Sequence, residues 1–315
     1  MPSEETGEEF QYDDLHRLTS TFSFLIDHVQ AIGIPLGEQF YEYDPIGNLT
    51  FKSDVSTHNP NLLYFGPPAG PHAVTGVSAA DSYEITYDAN GNMVQGRDLQ
   101  NDQSRTIDWF SFNKPKKITS TTDTVSFDYN PFREKVKQIE IIAGSPTETV
   151  YVGSLFEKVT MSTGVVESKH YVYGSAPTPV SLLTLRSIAP DDLVYFHYDN
   201  LGSMDVITAG GVAAEDLSFD AHGLRRNPDW TSATVPIASL TNHGYTNHEQ
   251  LDNFGLIDMK GRMYDPKIGR FISADPYVTD PFLTENLNRY SYVNNSPTNF
   301  IDPSGFQSMP SFTPS

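Results

Sequence analysis

Residues 43–49 read YDPIGNL, and the same pattern returns as YDANGNM at 87–93, YDNLGSM at 198–204 and, with Phe in place of Tyr, FDAHGLR at 219–225. An aspartate at the first position of a turn offers its carboxylate to nearby backbone N–H groups. A glycine three residues on accepts the backbone angles that leave a type I turn. The aromatic ring before the Asp ends one strand, and the apolar Leu49, Met93 or Met204 two residues past the Gly opens the next. Each copy therefore predicts one β-hairpin. Tyr-Asp occurs five times, also at Tyr12-Asp13 and Tyr264-Asp265, a recurrence that marks a repeat architecture. The copy YDDLHRL at Tyr12 is expected to be degenerate, because His16 stands where Gly belongs.

Between the copies lie SYEITY (82–87), TVSFDY (124–129) and HYVYG (170–174), with the period-two alternation of half-buried strands. The segment 18–34 is the best amphipathic helix candidate, but its Thr, Phe and Val content suits a strand equally well. The Gly-, Pro- and Ala-rich stretch 65–81 reads as an insertion between hairpins. The fold class is all-β: a curled strip of hairpins in one continuous sheet.

Forty acidic against twenty basic residues give a formal charge of −20, which repels polyanions, so nucleic acid is not an expected partner. With no Cys, disulfides and thiol catalysis are excluded. The start, MPSEETGEEF, lacks the apolar core of a Sec signal peptide, and no run is apolar enough for a membrane span. His243 and His248 in NHGYTNHEQLD lack an obvious third ligand, so no metal and no cofactor is expected.

The Tyr-Asp-x-x-Gly units, followed by GLIDMKGRMYDPKIGRFISADP (255–276) and NRYSYVNNSPTNFIDPSG (288–305), resemble the Rhs/YD-repeat proteins. The second block looks like their repeat-associated core. The resemblance implies YD repeats over 1–244 as part of a hollow cocoon, a core plug over 245–306, and a short variable tail over 307–315. It implies the shell and core portion of a polymorphic toxin or toxin-delivery protein of bacterial origin. Such a protein is exported or carried to the cell surface by a dedicated secretion system. Its partners would be a C-terminal toxin cargo or a longer Rhs shell, since the repeats here are too few to close a cocoon alone.

Similar toxin cores cut their own chain just after the last Asp-Pro-x-Gly with two aspartates and an arginine. Carried over, these fall on Asp275, Asp302 and Arg262, and the scissile bond on Phe306–Gln307, which would make the chain an aspartic-type autoprotease. Two neighbouring carboxylates do not both ionise cheaply, so one keeps a proton while the other activates water. The stretch between the two acids is somewhat longer than the resemblance implies, which keeps Asp280 as an alternative first acid. Asp-Pro also starts turns for reasons of backbone geometry alone, so a purely structural role for both aspartates stands beside the catalytic one. A third reading, an extracellular carbohydrate-binding or adhesion module, rests on the aromatic clusters VYFHY (194–198) and NRYSYV (288–293).

Overall fold

Strands Thr86–Tyr87 through Val212–Asp216 form a thirteen-stranded sheet in which every strand pairs antiparallel with its neighbour in sequence. The computed structural model describes residues 5–27, 32–64, 69–78, 82–230, 239–278 and 280–311. Two smaller sheets precede the large one: four strands from Glu5–Tyr12 to Leu49–Lys52, and three short strands from Leu62–Leu63 to Tyr83–Glu84. The strip is thus hairpins throughout but not one continuous sheet. It breaks on either side of the three short strands that carry the Gly/Pro-rich insertion, between Lys52 and Leu62 and again at Ile85; 65–68 and 79–81 of that insertion lie outside the described residues. The helix candidate at 18–34 is strand over Leu18–Asp27, and strand resumes at Ile32.

The turns form as the repeat predicts. Asp44 Oδ1 accepts the N–H groups of Ile46 and Asn48 at 3.0 and 2.9 Å, and Asp88 Oδ1 those of Asn90 and Asn92, both at 2.9 Å. Asp199 and Asp220 repeat the pattern two and four residues on. Gly91 has φ +82°, and a Cβ there would lie 2.5 Å from the Tyr290 hydroxyl, so the position demands glycine twice over. The copy at Tyr12 forms the same turn. Asp13 Oδ1 accepts from Leu15 and Arg17 at 3.0 Å each, and His16 takes φ +60°, a region His enters more readily than most side chains.

After residue 239 the chain leaves the strip and packs as a plug of short strands and turns, including a four-stranded sheet from Glu249–Leu251 to Arg270–Phe271. Leu251, Phe254, Leu256, Met263, Ile268 and Ile272 of the plug share one core with Leu49, Met93, Ile107, Ile118, Val125 and Phe127 of the strip. Each fully buried side chain of this size contributes about 1.5–3 kcal/mol. The hydrophobic effect therefore holds plug to strip.

Charge fixes the register of that contact. Arg105 reaches Asp265 at 2.5 Å and donates to the Phe254 carbonyl at 2.7 Å. Lys135 meets Glu249 at 2.5 Å and Asp258 at 2.8 Å, and Lys267 of the plug meets Asp54 of the strip at 2.9 Å. Apolar burial has no direction, whereas each of these pairs fits only one docking position.

Two further groups make this interface sensitive to pH. Burial, with the Glu249 charge adding to it, pushes the Glu140 carboxyl up to about 7. Burial alone would lower His243, but the Glu157 carboxylate, 3.7 Å from Nε2, outweighs it and the net shift is upward. Ionising Glu140 costs the folded state, so its contribution declines as pH rises from the ordinary glutamate range through 7. The His243 contribution is complete below the ordinary histidine value of 6.5 and fades as pH rises through the elevated folded value. Both signs favour mild acid at these two groups, whereas the buried His222 and His248, held below the ordinary histidine value, pull the other way. Glu140→Gln isolates the Glu140 contribution and is expected to raise the melting temperature more at pH 8 than at pH 6. Thermal unfolding in which the variant shifts the melting temperature equally at both pH values contradicts this.

Candidate cleavage site

The last turn of the plug uses the chemistry of the repeat. Asp302 Oδ1 accepts the N–H of Ser304 at 3.3 Å and of Phe306 at 3.0 Å, two and four residues on, as in the turn at Asp44. Gly305, three residues on, has φ +74°. The difference is a third amide: Gln307 also donates to Asp302 Oδ1, at 3.0 Å. The nitrogen of the Phe306–Gln307 bond is therefore held directly on a buried carboxylate.

The hairpin 259–262 grips this turn along its length. Lys260 Nζ donates to Pro303 O at 3.2 Å, Gly261 N to Ser304 O at 2.9 Å, and Arg262 Nε to Gly305 O at 2.5 Å. A Cβ on Gly305 would lie 2.3 Å from the Met259 carbonyl oxygen, so only glycine allows the approach. Phe306 is seated edge-on against Tyr277, with ring centroids 5.8 Å apart.

Arg262 ties the site together. One terminal nitrogen lies 3.0 Å from Asp275 Oδ2 and 3.7 Å from Asp302 Oδ2; the other donates to Arg289 O at 3.0 Å. Its guanidinium stacks 3.5 Å above the Phe271 ring centre. All three charged residues are buried. Burial pulls the Arg262 guanidinium down to about 10, against the pull of both carboxylates, so it is still a cation at neutral pH. Burial pushes the Asp275 carboxyl up; Arg262 opposes this, and the Asp302 charge adds to it. Arg262 stands between the two acids and bridges them, while burial favours the protonated form of Asp275.

The structure thus brings Arg262, Asp275 and Asp302 together beside Phe306 and Gln307. Asp280 is elsewhere: its carboxylate accepts the Phe282 N–H at 2.9 Å in a separate turn. A cavity of about 50 Å³ opens among Arg262, Asp275, Arg289, Asp302 and Phe306, large enough to hold a water molecule. Arg289 carried no sequence signal, yet it fastens Asp275. Asp275 N donates to Arg289 O at 2.9 Å, and Arg289 Nε donates back to Asp275 O.

The other candidates disperse. His243 Nδ1 lies 3.1 Å from the Asn247 carbonyl and its other nitrogen faces Glu157, whereas His248 Nε2 lies 3.0 Å from the Asp302 carbonyl. Among the described residues no group of three or more His, Asp or Glu is arranged to hold a metal ion. Of the aromatic clusters, Phe196, Tyr290 and Tyr292 are buried in hydrophobic cores, which removes most of the exposed rings a sugar would stack on. Among the described residues no helix is long and apolar enough to cross a membrane.

A strip of sequential hairpins folded over a C-terminal plug has a counterpart among solved structures. It matches a crystal structure of TcdB2-TccC3 without its hypervariable C-terminal region with a TM-score of 0.69 and 18% identity, over 95% of this chain and 15% of that one. In sequence, the chain is 25% identical over 272 residues to a tRNA3(Ser)-specific nuclease WapA of Bacillus spizizenii, covering 84% of this chain and 11% of the nuclease. It is 25% identical over 300 residues to the toxin subunit YenC1 of Yersinia entomophaga, covering 84% of this chain and 28% of that subunit. The chain therefore spans only a minor part of these relatives' length. No family model matches it.

Proposed function

We propose that this chain is the shell and core portion of an Rhs-type toxin or toxin-delivery protein, with repeats to 244 and a plug over 245–306, and that it cuts itself once between Phe306 and Gln307. The observation that carries the reading is the Asp302 carboxylate hydrogen-bonded to the Gln307 amide, beside a second acid bridged to it through Arg262. Water attacks the Phe306 carbonyl carbon and loses a proton to the ionised carboxylate, while the protonated partner polarises the carbonyl oxygen. The C–N bond then breaks and a proton passes to the Gln307 nitrogen, for which Asp302 is placed. One water is consumed, leaving a carboxylate on Phe306 and an amine on Gln307. In a longer protein the same cut frees whatever follows Phe306, so the cargo is the natural partner and export the natural setting. The tRNA-nuclease activity in the relatives' names is not carried to this part, whose charge of −20 opposes nucleic acid.

The position of the cut tests this. Incubated near neutral pH, the folded chain is expected to yield a fragment beginning at Gln307 and a body ending at Phe306. A break between Asp302 and Pro303 would instead mark acid-labile Asp-Pro chemistry and refute an enzymatic site.

A further inference from the structure

The geometry points to His248 as a positioning residue of the cleavage site, one that holds the Asp302 backbone so that its carboxylate stays on the Gln307 amide. This takes Phe306–Gln307 as the scissile bond, and so rests on the reading above.

His248 is 1% exposed. Its Nε2 lies 3.0 Å from the Asp302 main-chain carbonyl, and its Nδ1 is buried without a hydrogen-bond partner. A carbonyl oxygen only accepts, so the ring proton belongs on Nε2. Burial, with the Lys260 charge adding to it, depresses the imidazole to about 3, so the donor is neutral wherever the protein works. Neutrality matters here. A third cation beside Arg262 and Arg289 would favour the charged form of a neighbouring carboxyl, whereas the proposed step needs a protonated one.

Among the described residues the Asp302 carbonyl receives, besides His248, the Gly305 N–H at 3.5 Å, and the next residue, Pro303, has no N–H to anchor. The imidazole, by contrast, is set rigidly. His248 N donates to Tyr245 O, its carbonyl accepts from Gly244 N, both at 2.9 Å, and strand Glu249–Leu251 begins at the next residue. The tight turn before it carries Thr246 and Asn247 at φ +45° and +57°. The ring therefore transmits the position of the plug sheet to the acid. Displacing a reacting group by about 1 Å costs up to roughly 100-fold in rate.

Three variants separate donation from packing. His248→Phe keeps a ring and loses the donor; His248→Asn moves the donor to the Nδ1 position; His248→Gln loses the ring but keeps a donor near Nε2. Self-cleavage is expected to slow about 10- to 100-fold in the Phe and Asn variants and to stay within a few-fold of wild type in the Gln variant. The second readout does not need cleavage. In an uncut Asp275→Asn background, hydrogen exchange of the Phe306 and Gln307 amides should quicken at least several-fold with Phe or Asn at 248 but not with Gln. Protection at Ile107 and Phe127 reports that the fold is kept. Equal effects of Phe and Gln, or unchanged exchange in the Phe variant, overturn the proposal. If the wild type never cuts while the exchange pattern holds, the cleavage reading falls and the positioning role of His248 stands.

Discussion

Asp302→Asn is expected to leave the full 35.0 kDa chain uncut after any incubation in which the wild type is cut to completion. The variant should keep its fold. Asn Oδ1 can still accept the Ser304, Phe306 and Gln307 amides that the aspartate holds, so the turn survives. What is lost is the carboxylate: an amide neither ionises nor relays a proton. Asp275→Asn should be equally inert for the same reason, while Asp280→Asn should cut at the wild-type rate, because Asp280 occupies a different turn. Removing a member of such a constellation costs on the order of 10⁴-fold or more in rate, which intact mass reads as no product. Cleavage of either inert variant at more than a few per cent of the wild-type rate contradicts the assignment.

The largest effect on stability is expected from Asp265→Ala. Asp265 is the only carboxylate paired with Arg105 among the described residues, and both side chains are almost fully buried. Arginine does not escape by losing its proton, so the variant strands a guanidinium in a low-dielectric core beside the Phe254 carbonyl and the weakly accepting Met93 sulfur. Breaking a buried pair in this way costs about 3–5 kcal/mol. Arg105→Met with Asp265→Leu should recover the part due to the stranded charge, since an apolar pair carries no desolvation cost, but not the bonds that Asp265 Oδ1 makes to the Lys267 and Ile268 N–H groups. Denaturant unfolding monitors both. A loss below about 1 kcal/mol in the single variant would mean that water already reaches the pair.

How far the sequence speaks depends on whether a turn is written in side chains or only in backbone. Where Asp and Gly stand at the first and fourth positions, as at Asp44 and Gly47, the hairpin was legible because both residues act locally. Two equivalent turns escaped. Asn130 accepts the Phe132 and Glu134 N–H groups through its amide oxygen, with Arg133 at φ +65° in the glycine position, and Asn113 takes φ +59° after Phe110. Neither carries the Tyr-Asp signature, and tertiary packing outweighs the backbone strain. The stretch 65–81 was marked as an insertion, but the separate sheets on either side of it depend on which ladders the flanking strands find.

That Arg262, Asp275 and Asp302 would meet was legible by resemblance. The sequence also held a purely local clue, the Asp-Pro-Ser-Gly of 302–305 repeating the turn of the hairpins. It did not show that Oδ1 would take the Gln307 amide as well, because that bond follows from the hairpin 259–262 pressing on the turn. Lys135 with Glu249, Arg105 with Asp265 and His248 with Asp302 are far apart in the chain, and no periodicity connects them. Long-range polar pairs of this kind depend on the finished packing.

Intact mass spectrometry of the folded wild-type chain, followed over time near neutral pH, tests self-cleavage most directly. The 35.0 kDa species is expected to be replaced by one lighter by the residues Gln307 to Ser315, the released peptide less one water, with its carboxyl end at Phe306. A full-length mass that persists while circular dichroism shows the β fold intact would contradict it, and would leave Asp302 as the aspartate of one more structural turn.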